Sequence, residues 1–468
     1  MNRASILTGS LAAALLLPSA AAASDASAVV HLAEALRIQT ISHQDASRFD
    51  AAAFRAFDAF LQETYPRAFS ELAVEKVSDY SLLIRWGGSD ESLPPVLFEG
   101  HYDVVPIEPG TLVDWTHAPF SGAVVDGVVW GRGAVDDKLA VVAMFEAIEE
   151  LLRRGFEPQR SLWFAIGHDE EIGGRQGAAK IAAQLAERGV HFEYMVGEGG
   201  GVIESYPVLP DRPMAMIGLA EKTYVTMHLS AVGEGGHSSA PPRDNAIVRL
   251  GYALAALHEN PFDTKLVSPV SDMFEALAPH VGGLTGFAFE QQWIAAPLLR
   301  SQLAGDRIGQ TMVRTTTGVT MFDAGVKENV VPQRATAAVN FRVLPGDDPD
   351  ELVEQVRALI DDPEIEIRAE VWGPIAPVAD KNAEGYRRIR AALEKVIPEV
   401  VVVPGLVTAT TDTRHYAELA DNVYRARPYT IDLAEPVGVH DTNESIQVRS
   451  VTEGIDFYLE LMQSVARP

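Results

Sequence analysis

Short apolar runs ending in polar loops alternate with amphipathic stretches along the first half of the chain. Pro95 to Gly100 (PVLFEG) predicts a buried strand, and a polar loop opening His101-Tyr102-Asp103 follows it. Val124 to Val129 predicts a hairpin, because Asp126-Gly127 suits a tight turn between β-branched residues. After Asp136 and Asp137, the residues Val141, Met144, Phe145, Ile148, Leu151 and Leu152 recur at helical spacing, and Gly155 ends the helix. Ser161 to Gly167 (SLWFAIG) predicts a second buried strand, 174–189 a helix, Glu193 to Val196 a third strand and Gly197-Glu198-Gly199 a turn. Strand, polar loop and helix recurring in this order predict an α/β sheet with parallel connections. Such sheets bind ligands at the carboxyl ends of their strands.

The pattern changes after about Ile217. Tyr224 to Val232 (YVTMHLSAV) and Ala335 to Val343 (ATAAVNFRV) alternate apolar and polar, as half-solvated antiparallel strands do. Helices are predicted at 245–258 and 350–360, with a strand at 364–372. The stretch 261–314 has no readable period. After Pro374 the first rhythm resumes, with a helix at 383–396 and a strand at 400–403. The reading is a catalytic α/β domain over 24–217 and 374–468 and an inserted α+β domain over 218–373.

Length supports two domains, since 468 residues exceed one ordinary core. Arg3, the apolar run Ile6 to Leu17 and the small residues Ser19 to Ala23 match a signal peptide over 1–23, which places the mature protein in the periplasm or outside the cell. The apolar run is too short to predict a membrane anchor. The absence of cysteine excludes disulfides and thiolate ligands. A net charge of −27 argues against nucleic acid and anionic membranes as partners.

The candidate chemistry sits in the polar loops. His101 after a strand can ligate a metal, with Asp103 orienting its second ring nitrogen; a surface His-x-Asp turn is the plainer reading. Asp136 and Asp137 open a helix, where carboxylates cap and complement the dipole, and capping is favoured for Asp137. Glu170 and Glu171 close a dense anionic loop, Gly167-His168-Asp169-Glu170-Glu171, which a cation would neutralise. One of the two could ligate metal while the other acts as a base. Glu198 lies among glycines that permit close approach. His237 could stabilise an oxyanion, and Arg342 could pair with a substrate carboxylate, against plain turn and surface-strand readings. His440 alone is uninformative. As a set, nitrogen and oxygen ligands suit Zn²⁺, with Mn²⁺ or Co²⁺ as alternatives. Three carboxylates and one hydroxide balance two divalent ions.

The ordered motifs FEGHYDVVP, GRGAVDDK, GHDEEIGG, GEGG, GGHSSAPP, NVVP, NFR and HDTNES resemble the carboxypeptidase S and aminoacylase family of dinuclear zinc amidohydrolases, over nearly the whole mature chain. The resemblance is greatest to the secreted N-acyl amino acid hydrolase/synthase and carboxypeptidase S branch. It implies a zinc-peptidase-like domain with a mostly parallel central sheet and helices on both faces, plus an inserted lid or dimerisation domain. It implies that His101 and Glu198 hold one zinc, Glu171 and His440 the other, and that Asp136 bridges them through a cis Asp136–Asp137 peptide. Asp103 would orient His101, and Glu170 would be the general base in a metal-hydroxide attack. His237, Asn329 and Arg342 would contact the substrate, with a homodimer forming through the inserted domain. The chain departs from the pattern at Gly197, where relatives often carry Asp, and at Asp441, where they often carry Gly. The expected substrate is a small molecule, an N-acyl amino acid or a short peptide with a free α-carboxylate. A carboxypeptidase or dipeptidase preferring peptides, and a non-catalytic periplasmic binding protein, are the alternatives. Phe262, Phe274, Phe287, Phe289 and Trp293 are either core or an acyl pocket, with core favoured.

Overall fold

The computed structural model describes residues 20–432 and 438–467. The expected signal peptide lies almost wholly outside them. The strands that carry the architecture are β1 (Val96–His101), β2 (Leu162–Gly167), β3 (Tyr194–Gly197), β4 (Met214–Glu221), β5 (Thr223–Val232), β6 (Arg334–Val343), β7 (Val401–Val407) and β8 (Val423–Arg425). The expected hairpin forms, with Asp126 and Gly127 both at positive φ (51° and 79°), as a tight turn of this kind requires.

A ten-stranded sheet runs in the order Ala73–Val77, Ser81–Trp86, β2, β1, β3, β8, β4, Gly201–Ile203, Thr430–Ile431, with β7 also paired to β4. Its central strands β2, β1, β3 and β8 are parallel, and antiparallel pairs flank them. The α/β architecture is therefore as expected, but the sheet is mixed. Parallel pairing needs a long crossover, and two short connections without a helix, from Ala73–Val77 to Ser81–Trp86 and from Gly201–Ile203 to β4, give antiparallel pairs.

Helices cover both faces. Val96, Phe98, Phe164 and Val196 face a core shared with Leu139, Met144 and Ile148 of α1 (Lys138–Arg153). Leu97, Trp163 and Met195, one residue out of phase, face a second core with Ile181 and Leu185. Strands buried on both sides read as unbroken apolar runs, which is why PVLFEG and SLWFAIG show no alternation.

A four-stranded antiparallel sheet, ordered Thr316–Ala324, β6, β5, Ile365–Val371, stands apart from the first. Val225, Met227, Leu229, Val339 and Phe341 face α2 (Ala246–Glu259) and a helix at Pro349–Ile360. Asn245 caps α2 by accepting the N–H groups of Ile247 and Val248. β4 keeps the chain in the large sheet as far as Glu221, so the change of sheet comes later than the expected change at Ile217.

The unreadable stretch 261–314 is mostly short helices. Val270, Met273, Phe274 and Leu277 pack on Met214, Val401 and Val403 of the large sheet, so this part of the insertion shares a core with the α/β region. Phe274 and Phe289 are buried and stacked, and Phe262 packs against Phe341, whereas Phe287 and Trp293 are exposed. No helix among the described residues is long and apolar enough to cross a membrane.

Candidate metal centre

Three parallel strands end side by side and deliver the polar residues. His101 is the last residue of β1 and is fully buried. Glu170 and Glu171 follow β2, and Glu198 follows β3. Asp136 precedes α1, and His440 lies in a later turn. This is the placement that the strand-end rule anticipates.

Two groups of side chains converge. His101 Nε2 lies 3.1 Å from Asp136 Oδ1 and 3.3 Å from Glu198 Oε2. His440 Nε2 lies 3.3 Å from Asp136 Oδ2 and 3.1 Å from Glu171 Oε2. Within each group the potential ligand atoms all lie within 4.8 Å of one another, and each group could hold a metal ion. Asp136 belongs to both groups through different oxygens. The Asp136–Asp137 peptide is cis.

The surroundings fit a divalent cation. Glu198 Oε2 is buried without a hydrogen bond. Hydrogen bonds to Asp136 and Glu171 push the His440 imidazole up to about 10. Burial lowers the His101 imidazole, but the Asp103, Asp136 and Glu198 carboxylates around it together outweigh burial and hold it well above its usual range. Burial pushes Glu171 up to about 7, against the pull of His440, and burial with the nearby Glu198 raises Glu170 well above the carboxylate range. A cluster that draws protons this strongly offers the same lone pairs to a metal ion.

Asp103 is fully buried and organises the centre. Its Oδ1 lies 3.3 Å from His101 Nδ1, leaving Nε2 to face the centre. The same carboxylate accepts the N–H of Glu170 at 3.1 Å, the N–H of Glu171 at 3.2 Å and the hydroxyl of Ser42 at 2.6 Å.

Asp137 stands at the start of α1 but makes no side-chain cap, contrary to the favoured reading. Its Oδ2 accepts the His101 N–H, and its Oδ1 faces Arg427 at 3.1 Å. Arg427 was not singled out in the sequence. Its guanidinium also lies 3.0 Å from Glu198 Oε1 and donates to the Val135 carbonyl. The signal was available: two arginines, Arg425 and Arg427, interrupt the apolar run VYRARPYTI, and buried charge needs a partner. Glu444 was also passed over, although it stands in HDTNES. It accepts the N–H groups of Val135 and Asp136 and pairs with Arg132 at 2.7 Å.

Arg342 is half-buried on β6, donates to Thr410 Oγ1 at 3.1 Å, and lies 4.3 Å over the Tyr224 ring. Burial lowers its pKa, opposed by Tyr224, Glu170 and Glu221. His237 lies on a two-stranded ribbon and Asn329 in the turn before its partner strand; both are exposed, and the Ser238 N–H donates to the Asn329 carbonyl. Among the described residues, neither of their side chains enters a hydrogen bond or ion pair with the two metal-capable groups. A cavity of about 300 Å³ adjoins His440 and is lined in part by Pro106, Ile107, Trp115 and Arg132. None of the five aromatic residues considered as an acyl pocket lines it.

The model of peptidase family M20/M25/M40 matches residues 97–464. A probable carboxypeptidase S-like protein of Dictyostelium discoideum is 36% identical over 451 residues, covering 95% of this chain and 86% of its own. An N-fatty-acyl-amino acid synthase/hydrolase of Mus musculus is 35% identical over 440 residues, covering 92% and 86%. Among solved structures, an M20 family metallo-carboxypeptidase from Sulfolobus solfataricus shares the fold with a TM-score of 0.70 at 20% identity, covering 93% of this chain and 98% of its own.

Proposed function

This chain belongs to peptidase family M20/M25/M40 and is a hydrolase of peptide or amide bonds; from that premise we propose that it cleaves the amide bond of N-acyl amino acids or short peptides bearing a free α-carboxylate, with two zinc ions bound. The observation that carries the reading is the division of the Asp136 carboxylate, one oxygen beside His101, which groups with Glu198, and the other beside His440, which groups with Glu171. His101, Asp136 and Glu198 would hold one ion, and Asp136, Glu171 and His440 the other. When bound, such ions lower the pKa of water and polarise a carbonyl.

The residues have separate tasks. Glu171 faces His440, whereas Glu170 belongs to neither metal-capable group and serves as the base. It takes a proton from the attacking water and returns it to the leaving nitrogen. Asp103 holds the backbone of both glutamates and so fixes their division of labour. Arg342 pairs with the substrate carboxylate, for which a planar guanidinium is suited. Its aromatic support and its bond to Thr410 already set the orientation of the guanidinium.

His237 and Asn329 complete the substrate contacts in a second copy of the chain. Their exposure supports this. So does the apolar edge strand Thr316–Ala324, where Met321 is 69% exposed at a sheet edge open to pairing. Light scattering of the full chain would find a dimer, and a monomer with full activity would remove that assignment. Residues 1–23 direct export, which fractionation of cells would detect.

The testing experiment compares rates on long-chain N-acyl amino acids and on unblocked dipeptides, with elemental analysis of the same sample. Two zinc ions and turnover of either class support the reading. A chain that binds no metal, or that hydrolyses neither class, overturns it.

A further inference from the structure

Glu99 points into the layer formed by Leu97, Trp163, Ala165 and Met195, all apolar, and is only 3% exposed. A carboxyl in such a place is strongly unfavourable unless it is hydrogen-bonded. Its bond is to the centre: Oε2 accepts the N–H of Glu198 at 3.1 Å. The residue before Glu198 is Gly197, one step beyond the last register pair of β1 and β3, Phe98 and Val196. A Cβ at Gly197 would lie 2.4 Å from Glu99 Oε2 and 2.5 Å from Thr413 Cγ2. Both contacts are far inside the distance that real side chains tolerate, and the Thr413 contact is to a buried side chain. The glycine is therefore not a flexible hinge. It is the space that Glu99 fills.

We infer that Glu99 is the positioning residue for Glu198, and that Glu99 and Gly197 form one coupled unit in which the single carboxylate fitting between the ends of β1 and β3 is supplied from β1. Glu99 belongs to neither metal-capable group and meets the centre through its bond to the Glu198 N–H. By holding the Glu198 N–H it sets where the side chain leaves the backbone, with Oε2 toward His101 and Oε1 toward Arg427. By the same contact, an acid at 197 and an acid at 99 exclude one another. The inference rests on Glu198 being a metal ligand.

The test is zinc retention by the full chain, read by elemental analysis after equilibration against graded chelator, with the melting temperature of the metal-free protein measured alongside. Glu99→Ala is expected to lower affinity for one ion by about 10–100-fold, as loss of a ligand's support does. Glu99→Gln keeps an acceptor for the Glu198 N–H and is expected to stay within about threefold of the parent. Gly197→Asp, made in a Thr413→Ser background that removes the methyl it would also strike, should lose the ion, and adding Glu99→Ala should restore retention. Parent-like zinc retention in Glu99→Ala, or a combined variant no better than Gly197→Asp in that background, overturns the inference. If Glu99→Ala does not fold, Glu99→Gln and the combined variant decide: weak zinc binding in either overturns the inference, and retention in both upholds it. Glu198→Ala separates the underlying reading, because two ions held as tightly as in the parent would remove Glu198 from the ligands whatever Glu99 does.

Discussion

Asp103 Oδ1 accepts the backbone N–H of Glu170 at 3.1 Å, so the residue beside His101 also positions the loop carrying the proposed base. One carboxylate thus links the end of β1 to the loop after β2. Replacing Asp103 by Ala should do more than loosen His101. Metal affinity is expected to fall by about 10–100-fold, and turnover at saturating zinc should remain depressed because Glu170 is displaced. Full recovery of kcat by added zinc would limit Asp103 to orienting the histidine.

Arg342 should govern recognition of the substrate carboxylate rather than the chemistry. A hydrogen bond to a charged group contributes about 1.5–3 kcal/mol, or roughly 10–100-fold in kcat/KM. Arg342→Ala is expected to show that loss on an N-acyl amino acid and little change on the corresponding amide. Equal losses on both substrates would place Arg342 outside carboxylate recognition.

Arg132 and Glu444 form a buried ion pair, 3% and 0% exposed, beneath the Asp136 loop. Breaking such a pair from one side costs about 3–5 kcal/mol. Glu444→Ala should lower the stability of the metal-free protein by that order in urea unfolding and should also weaken zinc binding, because the Asp136 N–H loses its acceptor. Replacing both members by apolar residues should recover stability but not zinc binding. A single variant as stable as the parent would contradict the packing described here.

His31 pairs with Glu146 at 2.5 Å, and that hydrogen bond raises the imidazole pKa despite partial burial. A raised folded-state pKa stabilises below the unfolded value of about 6.5, and that contribution is lost as pH rises through the folded value. His31→Asn should therefore reduce the melting temperature more at about pH 5.5 than at about pH 9. The reverse order would contradict the assigned sign.

Much of the candidate site was legible because its residues stand at strand ends within distinctive local strings. His101, Glu171 and Glu198 each follow an apolar run, and their convergence follows from parallel strands that end together. Asp137 was misjudged because a carboxylate at a helix start has a local role by default, and only the fold brings Arg427 against it. Arg427 and Glu444 act over long sequence separations, so no spacing rule reaches them. The mixed sheet was hidden for a related reason. A strand buried on both faces shows the same apolar run whichever way its neighbour points, and β4 meets β7 in parallel but β8 in antiparallel register. The stretch 261–314 lacked a period because its helices are short. One of them, Gln292–Ala304, carries Pro297 within it and buries little of its own surface.

The most direct measurement concerns the division between ligands and base. Glu170→Gln should retain two zinc ions per chain by elemental analysis while kcat on an N-acyl amino acid falls by about 10²–10⁴-fold, the usual contribution of a general base. Turnover close to the parent's with both ions bound, or loss of an ion together with activity, would contradict the assignment of Glu170 as the proton carrier beside a five-residue metal centre.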